Sequence, residues 1–127
     1  MYHSRMSSVN LGFCEEISEA GKWRLARCFF PSKVGGHPVW LNPAASPPTQ
    51  CSACKSQLKF LLQAYGPGNG PDAFHRTILI FVCSSVNYCA EPPVIIRQQL
   101  PHKNKFYPDE PPNYEVTAVR NSEFDRL

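Results

Sequence analysis

Four cysteines carry the clearest chemistry in this sequence: Cys51 and Cys54, with two residues between them, and Cys83 and Cys89, with five. A two-residue gap lets one tight knuckle donate two thiolates to a tetrahedral ion, and four thiolates about 2.3 Å from the metal make a structural zinc site. The second pair is less regular and needs the loop from Ser84 to Tyr88 to fold back. A plainer reading keeps Cys83 as a small apolar residue at a strand end and Cys51 and Cys54 as loop thiols. Cys14 and Cys28 have no partner at ligand spacing and read as packing residues.

The two pairs converge if the chain between them is one hairpin. From Leu58 to Tyr65 a period of two puts Leu58, Phe60, Leu62 and Ala64 on one face and Lys59, Leu61, Gln63 and Tyr65 on the other. Gly66 to Asp72 concentrates glycine, proline and asparagine, the residues of turns, and Phe74 to Val82 is β-branched and apolar. Pairing Tyr65 with Phe74 sets Leu58 opposite Phe81 and returns Cys54 to the side of Cys83. The turn thus closes the metal site, and one structural Zn²⁺ is expected.

The remaining elements are short. Trp23 to Phe30 alternates like a strand and stops at Pro31; Glu15 to Ala20 is a helical turn or a loop. Gly35-Gly36 marks a tight turn before a short strand from His37 to Leu41, and a proline-rich loop from Ala44 to Gln50 leads to the first cysteine pair. Val94 to Gln98 is another β-branched run, followed by an extended stretch from Pro101 to Pro112. Proline is 13 of 127 residues, about double the usual share, which disfavours long helices. The fold class expected is α+β, predominantly antiparallel β with a zinc-stapled hairpin and little helix. Residues 1–8 read as a loose lead-in, 9–112 as one zinc-binding β domain, and 113–127 as a disordered or divergent tail.

Other chemistries find little support. The start of the chain has no apolar signal core, and the run from Ile78 to Cys83 is far too short to span a bilayer, so a soluble intracellular protein without membrane attachment is expected. In a reducing compartment the cysteines are ligands or buried thiols rather than disulfides. A cysteine nucleophile needs a neighbouring base; His75, the candidate, sits in a strand pattern and reads as a structural hydrogen-bonding residue, and Glu15-Glu16 and Asp109-Glu110 read as loop or surface pairs. Gly35-Gly36 lacks the spacing of a phosphate loop. No enzyme is expected. The formal charge is +3; four thiolates and one Zn²⁺ reduce it to +1, which is weak for a nucleic-acid binder. Lys33, Arg97, Lys103 and Lys105 beside Trp40, Tyr65, Phe106 and Tyr107 keep a zinc-stapled RNA-binding module as the alternative. Capture of an extended peptide by exposed strand edges fits better, with Trp40 and Tyr65 as candidate client anchors, each of which also reads, and reads first, as a core residue.

These residues resemble the programmed cell death protein 2 family in its N-terminal region. The resemblance rests on Val9 to Phe13, on Phe30-Pro-Ser-Lys-Val-Gly-Gly-His-Pro-Val-Trp40-Leu41, and on Cys51-x-x-Cys54 with Leu61-Leu-Gln-Ala-Tyr65. It continues through Asp72-Ala-Phe-His-Arg76, Phe81-Val-Cys83, Cys89 and Gln99 to Tyr107, covering roughly residues 9–112. The resemblance implies a dedicated chaperone that captures a newly made ribosomal protein of the small subunit, the uS-five protein, and supports assembly of that subunit in the cytoplasm, with the nucleus as a second compartment. It matches the four cysteines position by position. Lys55 and Ser56 depart from the family's usual Gly-Arg after the knuckle. Animal members of the family carry a MYND-type zinc module and a C-terminal half beyond this region, so the chain looks like a fragment, a truncated product or a short splice form.

Overall fold

β-Branched and aromatic runs pair into one antiparallel sheet in the computed structural model, which describes residues 11–45, 50–85, 89–110, 112 and 113. Its strands are β1 (Lys33–Val34), β2 (Leu58–Tyr65), β3 (His75–Cys83) and β4 (Val94–Leu100), in the order β1-β2-β3-β4. Helix is limited to 3₁₀ turns at Glu19–Leu25, Arg27–Phe29 and Pro71–Ala73. The sheet and the scarcity of helix agree with the fold class read from the sequence. Among the described residues, no helix is long and apolar enough to cross a membrane. The expected lead-in, and the tail beyond Asn113, lie outside the described residues.

The faces of β2 differ from strict alternation. Leu58 pairs with Cys83 and Phe60 with Phe81, but Leu62 then pairs with Ile80, so Leu61 is an extra residue in a bulge. A one-residue insertion flips every later side chain, so the inner face carries Leu58, Phe60, Gln63 and Tyr65 rather than Leu62 and Ala64. Gln63 is buried, and its amide is fully used: Oε1 accepts from the Val39 N–H at 2.8 Å and Nε2 donates to the Pro31 carbonyl at 2.8 Å. On β3 the inner set is regular, with His75, Thr77, Leu79 and Phe81 all buried.

The hairpin register also shifts. Tyr65 pairs with Thr77 and not with Phe74, because Pro71–Ala73 makes a 3₁₀ turn and Phe74 stays out of the ladder with φ −66° and ψ −54°. Gly68 folds under the turn, its N–H donating to the Phe74 carbonyl at 2.7 Å; a Cβ there would lie 2.8 Å from the Ala73 carbonyl, so only glycine fits.

Two segments expected as strands are not. Trp23 to Phe30 winds as 3₁₀ turns, with Ala26, Phe29 and Phe30 each donating to the carbonyl three residues back. Leu25, Ala26, Cys28 and Phe29 are all half-buried, so neither parity of an alternating strand faces solvent. His37 to Leu41 crosses the inner face of the sheet without joining it. Its donors go to side chains: the N–H of Leu41 donates to Gln98 Oε1 at 2.8 Å, as that of Val39 does to Gln63. The turn at Gly35-Gly36 is present, with φ of 72° and 71°.

This crossing segment and the loop after β4 cover the inner face, which splits the core along the strands. One cluster joins Cys51, Leu58, Leu79 and Phe81, with Trp40 and Phe60 packed against it. The other joins Leu41, Leu100 and Tyr107, with Phe30 and Phe106 at its side. Leu79 is 0% exposed, and burying such a side chain contributes about 1.5–3 kcal/mol. The Tyr107 hydroxyl donates to the Leu41 carbonyl at 2.7 Å, and burial pushes its pKa up to about 12. Among the described residues, no buried side-chain nitrogen or oxygen lacks a partner.

Candidate metal centre

The four cysteines meet at the end of the sheet where β2 begins and β3 ends. Their sulfurs all lie within 4.8 Å of one another, with Cys51 and Cys89 at 3.7 Å and Cys54 and Cys83 at 3.3 Å. Tetrahedral coordination with metal–sulfur bonds of about 2.3 Å sets neighbouring sulfurs about 3.8 Å apart. The cluster therefore fits one ion at its centre. Cys14 is exposed instead of packed, and Cys28 is half-buried and outside the cluster.

Local backbone geometry explains the convergence. The knuckle closes on itself: the Cys51 N–H donates to the Ser56 carbonyl at 2.9 Å and the Lys55 N–H to the Cys51 carbonyl at 3.1 Å. The chain turns through Lys55, which takes the left-handed conformation at φ 60°. That is the position where glycine is the unstrained choice, and a lysine there costs about 1 kcal/mol. Its ammonium donates to the Ser52 carbonyl at 2.8 Å, across the knuckle. A bridge between Gln50 and Gln57 anchors the knuckle to β2, and the Leu58–Cys83 pair brings the third thiol alongside. The fold-back after Cys83 starts with Ser84, whose N–H donates to the Gln57 carbonyl; residues 86–88 lie outside the described set.

Hydrogen bonds favour charge on one of these sulfurs, Cys54. The Ser56 side chain, its backbone, and then Cys83 lower the Cys54 pKa to about 6. Cys83 moves the opposite way, to about 12: the Ser85 N–H, 3.4 Å from its sulfur, favours the thiolate, but the hydrogen bond to Cys54 and burial favour the thiol. One thiolate thus holds its neighbour protonated, the behaviour of sulfurs that share a site, and a cation bound among them would take the place of those protons. Ser56 stands out in the sequence only as a departure from the family's Gly-Arg, and the part Ser85 plays is not signalled there, because serine near a cysteine carries no distinctive spacing.

The two candidate anchors separate. Trp40 stacks on Phe81, with ring centroids 5.7 Å apart and planes at 7°, and packs against the cluster that contains Cys51. Tyr65 lies at the other end of β2. It stacks on Phe30 with centroids 4.8 Å apart, its hydroxyl is 2.9 Å from His75 Nδ1, and it lines a cavity of about 310 Å³.

A four-stranded antiparallel sheet whose hairpin ends in a four-cysteine cluster defines a small cysteine-centred β domain of the kind stapled by a metal ion. Comparison with known proteins narrows this class: the profile of "Programmed cell death protein 2, N-terminal domain" matches residues 8–114, and the chain belongs to that family. Programmed cell death protein 2 of Rattus norvegicus is 48% identical over 110 residues, which cover 84% of this chain and 31% of the rat protein. The Mus musculus protein of that name is 48% identical over 109 residues (83% and 31%), and that of Bos taurus 45% over 109 residues (83% and 30%). The chain thus matches less than a third of the length of these relatives. No solved structure matches it.

Proposed function

We propose that this chain is the zinc-stapled, protein-binding module of a dedicated ribosomal-protein chaperone, with the uS-five protein of the small ribosomal subunit as its client. Four sulfur donors within 4.8 Å of one another favour zinc among the common cations, since softer sulfur ligands select it and hard oxygen-seeking ions are disfavoured. The metal's part is structural: it joins the knuckle to the end of β3 and fixes the sheet on which the client docks. Binding rather than turnover is the activity proposed, in the cytoplasm and nucleus.

The observation that supports peptide capture is the free edge of β4. It is the outer strand of the sheet, seven residues long, and nothing pairs with its far side among the described residues. An extended client segment can add there as a fifth strand, with backbone hydrogen bonds giving affinity and side-chain contacts giving selectivity. Affinity purification of the tagged chain from cytosol, with and without ribonuclease, tests the proposal. Enrichment of the uS-five protein that survives ribonuclease is the expected result. Specific RNA recovered in its place, with binding that weakens steeply as salt rises, would instead favour the RNA-binding alternative.

A further inference from the structure

The cavity at the far end of the sheet from the cysteines has the construction of an aromatic cage. Phe30, in its wall, contacts three of the other rings. Tyr65 and His75 both stack on it, at 4.8 and 4.5 Å, and their own centroids are only 6.2 Å apart, too close for them to lie on opposite faces of Phe30. Tyr107 meets Phe30 edge to face at 4.8 Å, and Phe74 meets His75 and His102 in the same way at 5.1 and 4.5 Å. Five stretches of chain supply these rings: the 3₁₀ turn at Arg27–Phe29, the end of β2, the start of β3, the exit of β4 and the loop beyond it.

Three further observations bear on what the cage holds. Phe30 sits in the left-handed region, φ 48° and ψ 59°, which costs a non-glycine residue about 1 kcal/mol or more, and the strain places its ring in the cavity wall. The mouth is acidic: Asp109 and Glu110, both exposed, line it, and among the described residues no lysine or arginine does. Asp109 pairs with Lys103 at 3.9 Å, a long and solvent-exposed contact. Finally, a cavity of about 310 Å³ is at the small end of ligand sites, room for a side chain more than for a large cofactor.

Ring faces with carboxylates at the rim attract organic cations, because the quadrupole of each ring is negative over its face and a weakly hydrated cation loses little by leaving water. We infer that this cavity binds a guanidinium or methylated ammonium group, carried on an arginine or methyl-lysine side chain of a partner protein. The inference rests on the reading of the chain as a protein-binding module, and it adds a second contact: an extended partner held along β4 reaches the cage where that strand ends, at Leu100 and His102. Burial, and then the neighbouring His102, lower the His75 pKa, which favours the neutral form of that ring.

The test uses the whole zinc-loaded chain and short peptides that contain no client sequence: acetyl-Gly-Arg-Gly-amide, its trimethyl-lysine counterpart, and the citrulline version, which keeps the shape of arginine without the charge. Aromatic carbon–proton NMR spectra are followed through each titration. The expected result is saturable shifts at Phe30, Tyr65, Phe74 and Tyr107 with one or both cationic peptides, and binding of the citrulline peptide weaker by about tenfold or more. The two cationic arms distinguish guanidinium from methylated ammonium. Asp109→Asn with Glu110→Gln, both at exposed positions and therefore compatible with folding, weakens the cationic peptides about fivefold or more. Equal binding of the citrulline peptide, shifts scattered over the surface, or no shift at millimolar peptide overturns the cage. Such a failure leaves capture of the uS-five protein to be decided by its own purification experiment.

Discussion

Lys55 shows how a single residue can work against its own backbone. Its left-handed φ of 60° turns the metal knuckle, and the only visible compensation is an exposed contact from its ammonium to the Ser52 carbonyl. Lys55→Gly removes the strain and little else, so the zinc-loaded protein gains about 0.5–1 kcal/mol, read as a higher urea midpoint at unchanged slope. A lower midpoint would mean that the lysine's charge beside the sulfurs outweighs the strain. His75 makes a prediction with a definite sign. Its folded pKa is lowered from 6.5 by burial and then by His102, so the unfolded chain takes up the proton first as the solution is acidified. The stability tied to neutral His75 is complete above about pH 6.5 and falls as pH drops toward the folded value. Thermal unfolding of the chain and of His75→Gln between pH 8 and pH 5 checks this. The variant should show the shallower loss; parallel curves would show that His75 titrates alike in both states.

At the scale of elements, the bulge in β2 decides which residues face the core. Deleting Leu61 removes the extra residue yet leaves Leu58, Phe60, Gln63 and Tyr65 all pointing inward, because alternation resumes in phase. The deletion variant should keep the sheet and unfold cooperatively, losing about 1 kcal/mol with the 2.7 Å bond from the Gly35 N–H to the Leu61 carbonyl. Circular dichroism and a denaturant titration report both. Loss of cooperative unfolding would show that the bulge is essential. The same bulge marks where the sequence stops being legible. Hairpin, turn and the existence of β4 follow from β-branched runs and a cluster of Gly and Pro. The faces of β2 do not, since burying Gln63 makes sense only once Val39 and Pro31 are seen to take its amide. His37 to Leu41 misleads for the same reason: an extended segment whose partners are two glutamine side chains has the residue pattern of a strand and the contacts of a lid.

Across the whole molecule, the strands separate two centres by roughly 23 Å, seven steps of about 3.3 Å along β2. The cysteine cluster lies at one end and the aromatic cavity at the other. The first was legible because metal ligation demands few residue types at near-fixed spacing, and all four cysteines named from the sequence meet within 4.8 Å. Of the second, the sequence offers Tyr65 and Tyr107 as stacking aromatics and His75 as a hydrogen-bonding residue, but Phe30, Phe74-His75 and Tyr107 come from separate stretches, and nothing in their spacing announces that they converge. Between the centres the outer face carries a row of apolar side chains, Val34, Leu62, Ile80 and Ile95, directly paired across all four strands. Structural zinc supplies roughly 10–16 kcal/mol of apparent binding energy, comparable with the 5–15 kcal/mol that holds a whole domain together, so under the proposed zinc reading the cluster would govern whether the rest persists. The most direct test is the metal content of purified protein by elemental analysis, alongside the unfolding of Cys54→Ser and Cys83→Ser. One zinc per chain, lost together with cooperative unfolding in both variants, is the outcome predicted. Metal-free protein of full stability, unchanged in both variants, would contradict the account.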